Sequence, residues 1–275
     1  MATTFATGIR RTHILGLPVD RCSRIEFRMF LRRALVAPNA RRIVTLNPEI
    51  VLAARQDPRY AVTIHTADLV TVDGTGLALA LRAMGHDVAG RITGTDVVED
   101  LAALAVEEGR HVTFLLRADG LTSPPLLRQA LTARWPALKY SVGVVDPTQP
   151  IDPALVRAIV DDVPTILVVN FGHPHQERWI AEHLDRFRTV RVAAGIGGAL
   201  DYFAGAVPAP PQLVRRFGVE WAWRLLRQPR RWRRILRATI VFPAVVVQEF
   251  ILRAITQRIS RRRAAGVQRT AMRQV

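Results

Sequence analysis

Apolar residues in this chain follow two alternating rhythms as far as about residue 205. Short runs rich in Val, Ile and Leu occupy residues 13–17, 43–46, 69–72, 112–116, 140–145, 166–169 and 190–194. Runs of this length and composition suit strands buried on both faces. Between them, residues 24–36 carry Ile25, Met29, Leu31 and Leu35 near helical spacing, Pro48 is placed to start a helix through Arg55, and 76–84 and 96–108 are helix-like. The alternation predicts an α/β fold, a Rossmann-like, mostly parallel sheet flanked by crossover helices.

Polar clusters stand where the apolar runs stop. Thr45-Leu46-Asn47 closes one run, Asp73-Gly74 another, and Gly172-His173-Pro174-His175-Gln176-Glu177 follows a third. In an open parallel sheet the ligand crevice lies beyond the carboxyl ends of the strands, so these clusters converge on one place. Thr45 and Asn47 alternate to one side and offer a hydroxyl and an amide for sugar or nucleobase groups, although Asn47-Pro48 equally reads as a helix cap. Asp73 sits between an uncharged run and Gly74-Thr75-Gly76, either as a general base or as a cap for the next helix. Arg91, one turn before Gly94-Thr95-Asp96, is placed to steady an anionic ligand or Asp73 itself. Pro174 predicts a helix start that puts Gln176 and Glu177 in its first turn, and Gly195-Ile196-Gly197-Gly198 lets backbone approach a ligand closely. His173 and His175 have no further partners at ligand spacing, so no metal is expected. Asp73-Gly74-Thr75-Gly76 and the 195–198 glycines match neither the Walker nor the dinucleotide fingerprint.

Charge changes the picture through its position. Of the 39 basic residues, sixteen lie from Leu213 onward, against two of the 23 acidic ones. Such asymmetry points to a polyanionic partner: a membrane surface, a phosphorylated ligand or nucleic acid. Lys139 is the sole lysine, and the arginine bias fits genome composition as well as phosphate binding. The proline cluster at 208–211 divides the chain into an α/β core, 1–211, and an arginine-rich helical appendage, 212–275. Its uncharged stretch 238–247 is shorter than the ~20 residues that span a bilayer, and Pro243 interrupts it. An interfacial amphipathic helix on anionic lipid is expected, with a core-packing helix and a basic end as the other reading. One cysteine, Cys22, excludes a disulfide framework and reads as a helix residue. No apolar stretch of signal length precedes residue 13, so a cytoplasmic protein is expected.

Together these segments resemble the WecG/TagA/CpsF glycosyltransferases of bacterial surface-polysaccharide synthesis. The resemblance runs from Thr45-Leu46-Asn47-Pro48-Glu49 through Val72-Asp73-Gly74-Thr75-Gly76, Arg91 to Asp96, Gly172 to Trp179 and Gly195 to Asp201, and then to Gly218 to Leu225 with Pro229-Arg230-Arg231. It implies inverting transfer of a sugar, by default N-acetylmannosamine, from a UDP-sugar donor to a polyprenyl-diphosphate-linked sugar acceptor at the cytoplasmic membrane face. Asp73 becomes the catalytic base, with Thr45, Asn47, Arg91 and Gln176 around donor and acceptor and Asp201 near the nucleotide. No Asp-X-Asp is present to hold a metal ion on the diphosphate, and no cofactor is implied. Arg224, Arg231 and Arg234, at spacings of seven and three, carry that charge instead. The chain departs from the family at His175, where lysine is usual, at Ala209, and at Arg117-Ala118, where glycines are usual. A nucleotide-dependent oxidoreductase and a nucleic-acid-binding protein are the other classes considered, and the first lacks its glycine fingerprint. The second leaves Asp73 and Gln176 without a role.

Overall fold

The computed structural model describes residues 8–208, 211, 213–214, 220–227 and 232–252. Eight strands form one sheet: β1 (Arg10–Ile14), β2 (Leu17–Arg21), β3 (Arg41–Leu46), β4 (Leu69–Val72), β5 (His111–Arg117), β6 (Lys139–Val145), β7 (Ile166–Asn170) and β8 (Val192–Gly195). Their order is β1-β2-β4-β3-β8-β7-β5-β6, parallel throughout except for β1 against β2. This is the expected α/β sheet. Lys139, exposed, opens the edge strand β6 at its amino end, a charge that discourages pairing with another chain.

The single strand expected at 13–17 is corrected to a hairpin. Ile14 pairs with Leu17, and the two residues between them, Leu15 and Gly16, have φ of 50° and 86°. Two left-handed residues match the twist of the flanking strands, and glycine supplies the second without strain. Across the hairpin Arg11 pairs with Asp20, whose buried carboxylate also accepts from the Val70 N–H at 2.8 Å. Cys22 follows β2 as a buried connecting residue rather than a helical one, and burial pushes its thiol up to about 12.

Helices α1 (Arg24–Leu35), α2 (Pro48–Gln56), α4 (Thr75–Ala83) and α5 (Gly94–Glu107) lie within two residues of their expected ends. On α1 the buried face is Phe27, Phe30, Leu31, Ala34 and Leu35, while Ile25 and Met29 are exposed. Four further crossover helices, α3 (Pro58–His65), α6 (Pro124–Arg134), α7 (Pro153–Asp161) and α8 (His175–His183), complete the layers together with the short α9 (Ala199–Phe203). One core joins α1, α5, α6 and α9 to one face of the sheet through Ile43, Phe114, Val168 and Ala194. On the other face α2, α3 and α4 cover Val44, Leu46, Val70 and Val72, and α7 and α8 cover Leu115, Leu167 and Val169. Gly94 opens α5 against the loop after β8, where a Cβ would stand 2.4 Å from the Ile196 carbonyl.

Beyond the core lie α10 (Glu220–Arg227) and α11 (Trp232–Leu252). Pro243 does not interrupt α11. The turn Arg237–Val241 is a π turn, with the Phe242 N–H bonded to the Arg237 carbonyl, and this wider turn accommodates the ring. Phe242 is fully buried in the core beside Ile14, Val44 and Leu46, with Val245 and Val246 packed around it. The opposite face exposes Leu236, Ile240, Val247, Phe250 and Ile251. Ala209 and Pro210 of the expected boundary, Gly218-Val219, Pro229-Arg230-Arg231, Arg253, Arg258 and Arg261–Arg263 lie outside the described residues.

Candidate active site

From β3 the chain adds β4 toward one edge, then crosses to build β5 through β8 on the other side. The sheet therefore reverses between β3 and β8, and the crevice beyond their carboxyl ends is the place for a ligand. Thr45 spans this junction. Its side chain is buried and its hydroxyl donates to the Gly195 carbonyl at 3.2 Å, so it clasps the two halves together. Asn47 caps α2, its Oδ1 accepting from the Ile50 N–H at 3.0 Å. The cap occupies the amide oxygen and leaves the amide nitrogen facing other tasks.

Asp73 is held by backbone. Its N–H donates to the Leu46 carbonyl at 2.8 Å, which extends the β3–β4 ladder by one step and leaves the side chain half-buried at the rim. Gly74, at φ 86°, turns the chain against Pro48, whose Cδ would lie 3.4 Å from any Cβ there. Gly74, and not Asp73, is the N-cap residue of α4. Arg91 reaches the same turn, donating to the Thr75 hydroxyl at 2.8 Å. The structure thus brings Asn47, Asp73 and Arg91 together around one turn.

Gln176 has a different setting. Almost wholly buried, it accepts at Oε1 from the N–H groups of Gly172 at 3.1 Å and Gly197 at 2.9 Å, which joins the loops after β7 and β8. Its Nε2 donates to Glu177 Oε1 at 2.8 Å, and the Tyr60 hydroxyl donates to Glu177 Oε2 at 3.0 Å. Gly195 makes room for this amide, since a Cβ there would lie 2.9 Å from Nε2. Burial holds the Glu177 carboxyl above the usual carboxylate range, against the hydrogen bonds from Gln176, its own backbone N–H and Tyr60, which favour its charge. Gln176 is therefore placed to hold the crevice walls. Glu177 stands in the first turn of α8, as expected from Pro174, whereas Tyr60 was not among the residues singled out from sequence. Tyr60 lies on α3, 117 positions from Glu177, and carries no local signal. Asp201, also buried, accepts from the Thr122 hydroxyl at 2.7 Å at the start of α9.

The appendage reaches the same rim. Arg234 on α11 donates twice to Glu49 Oε2, at 2.9 and 2.5 Å, and its Nη2 stands 3.5 Å from His173 Nδ1. Arg237 donates to Gln56 at 3.0 Å, and Gly76 lies under the Ala238 carbonyl. Arg224 is a position on α10, whereas Arg231 lies outside the described residues. Among the described residues, no three His, Cys, Asp or Glu side chains are grouped to hold a metal ion.

The model of the glycosyl transferase WecG/TagA/CpsF family matches residues 12–257. The chain belongs to this family. It is similar to the N-acetylglucosaminyldiphosphoundecaprenol N-acetyl-beta-D-mannosaminyltransferase of Bacillus spizizenii, 32% identical over 210 residues that cover 75% of this chain and 79% of that one. A protein of the same name from Staphylococcus aureus is 31% identical over 231 residues, 82% of this chain and 87% of the other. This member of the WecG/TagA/CpsF family is a glycosyltransferase, which displaces the oxidoreductase and nucleic-acid readings.

In this glycosyltransferase the contact between appendage and core carries a pH signature. Burial lowers His173 to about 4; Glu49 opposes the shift, while Arg234, Arg237 and His175 add to it. The unfolded chain takes up a proton near pH 6.5, but the folded one does so only near 4. The stability His173 contributes is thus full above pH 6.5 and is lost as pH falls toward 4. Calorimetric melting of the wild type is expected to fall more steeply over that window than melting of His173→Gln. Equal slopes would place the titration elsewhere.

Proposed function

We propose that the chain transfers N-acetylmannosamine from UDP-N-acetylmannosamine to a hydroxyl of a polyprenyl-diphosphate-linked N-acetylglucosamine, with inversion and without a metal ion. The observation that carries this reading is the half-buried carboxylate of Asp73 at the rim, beside Arg91 and under α11. Asp73 takes the proton of the acceptor hydroxyl as that oxygen attacks the anomeric carbon. The bond to UDP breaks as the new one forms, and in-line displacement inverts the configuration. The departing diphosphate carries the developing charge, which Arg91 and Arg234 are near enough to the rim to meet, with Arg224 and Arg231 as further candidates from the same segment.

Asn47 offers its amide nitrogen to the substrates, Gln176 and Thr45 keep the walls in register, and Asp201 stands with Thr122 at the nucleotide end. The reaction is assigned to the cytoplasmic membrane face, with residues 212–275 as the membrane-associating part. α11 is 21 residues long, and an 18-residue stretch within it has a mean hydropathy of 1.8, enough by length and composition to cross a bilayer. Phe242 argues for the interface instead, because a spanning helix would have to withdraw it from the core. A docked helix can present Ile240, Val247, Phe250 and Ile251 to the headgroup boundary while arginines meet anionic lipid.

The test is UDP release by the full chain across a panel of UDP-sugars, with and without undecaprenyl-diphosphate-GlcNAc in vesicles, in EDTA. Acceptor-dependent release from UDP-N-acetylmannosamine, unchanged by chelation, is expected. Release from another sugar alone would replace the donor, and loss of activity in EDTA that a divalent cation restores would overturn the metal-free mechanism.

A further inference from the structure

One polar side chain on the crevice floor has no task in that mechanism. Asn170 ends β7, opposite Leu116 of β5, and by strand alternation points to the same side of the sheet as Val168, the side packed by α5 and α9. Its Oδ1 is buried and receives no hydrogen bond. Among the described residues with such an atom, Asn170 is the one that ends a central strand at the carboxyl rim. Buried acceptors without donors are uncommon in native proteins, and one beside a ligand crevice calls for a donor from the ligand.

In the neighbouring loop after β8, a Cβ at Gly197 would meet no atom within 4 Å. On the β8 side the chain runs through Ile196, whose N–H donates to the Val169 carbonyl at 3.1 Å, into Gly197 and Gly198, which add no side chains. On the β5 side Arg117 approaches the Phe171 carbonyl at 3.4 Å. Asp73 lies on the same side of the sheet, two positions beyond Thr71, whose hydroxyl bonds to the Ile92 carbonyl. Between the ends of β4 and β7 stand β3 and β8, three interstrand spacings or roughly 14 Å. A nucleotide sugar with its anomeric carbon near Asp73 extends its diphosphate and ribose along that rim and brings its base toward β7.

Resting on the UDP-sugar reading, we propose that Asn170 reads the base of the donor. Its Oδ1 accepts from uracil N3–H, and its Nδ2 donates to O4. The terminal torsion of asparagine is soft and roughly two-fold, so the amide can turn its oxygen to the crevice when the base arrives. A site built to hydrogen-bond a substrate N–H discriminates strongly against an analogue that lacks it.

The probe is N3-methyl-UDP, which keeps the diphosphate and ribose but has no N3–H. The full chain is titrated calorimetrically with UDP and with the methylated nucleotide. Wild type is expected to favour UDP by about tenfold or more, as one lost buried hydrogen bond implies. Asn170→Ala binds the two alike, whereas Asn170→Asp, which keeps an acceptor, retains the preference. Persistence of the full preference in a folded Asn170→Ala, or no preference in a wild type that binds UDP, overturns the assignment of the base and leaves the glycosyl transfer standing. A wild type that binds no UDP overturns the donor reading itself.

Discussion

Asp73→Asn is expected to lower acceptor-dependent turnover by about 10²- to 10⁴-fold, the usual contribution of a positioned general base. The substitution is nearly isosteric, and the N–H that ties residue 73 to Leu46 belongs to the backbone, so the rim should keep its shape. Donor binding should change little, because the missing function is proton acceptance from the acceptor hydroxyl. Turnover and donor affinity measured on the same preparation separate these effects. A variant that turns over at the wild-type rate would remove Asp73 from the mechanism. Equal loss of turnover and of UDP affinity would instead make Asp73 a residue that organises the site.

The second large effect is expected at Phe242, far from the chemistry. Its ring is fully buried in the core that also holds Ile14, Val44 and Leu46, and truncation to alanine removes a contact typically worth about 3–5 kcal/mol. Most of that loss need not unfold the sheet, since α11 can detach first and the rest of the protein can remain folded. Phe242→Ala should therefore raise amide exchange along α11 by roughly two powers of ten or more while β3, β7 and β8 keep their protection. Transfer to a lipid-linked acceptor should fall with it, because Arg234 leaves the rim when the helix does. Unchanged exchange along α11 would mean that the helix is held mainly by Arg234–Glu49 and Arg237–Gln56.

The sheet was legible because its strands are buried on both faces and leave short, dense apolar runs. Six of the seven expected runs are strands within one or two residues. The seventh failed where a hairpin turns at Leu15-Gly16, since its register is set by two left-handed residues that apolar patterning does not record. Helices α3, α6 and α7 escaped notice although each begins with Pro after Asp or Ser, at Pro58, Pro124 and Pro153, a start signal weaker than their mixed apolar faces could support.

The rim could be found from sequence because strand ends converge whatever their separation along the chain. Asn47, Asp73 and Arg91 meet there. What sequence could not supply is which polar groups the protein consumes itself. Thr45 bonds a carbonyl 150 residues away and Gln176 bonds two loop amides, so both stand in the walls rather than in front of them. Tyr60 and Asn170 show the converse. Each is polar inside or at the end of an apolar segment, and only the fold reveals that one supports Glu177 while the other has an acceptor to spare.

The solitary lysine has a practical consequence. Lys139 opens the edge strand β6 at its amino end, whereas the crevice lies at the carboxyl ends of the same parallel strands. Apart from the α-amino group of the chain, amine-directed coupling has one side chain to find. A sensor surface or a fluorophore attached there would hold the molecules in a common orientation, with the crevice and α11 turned away from the tether.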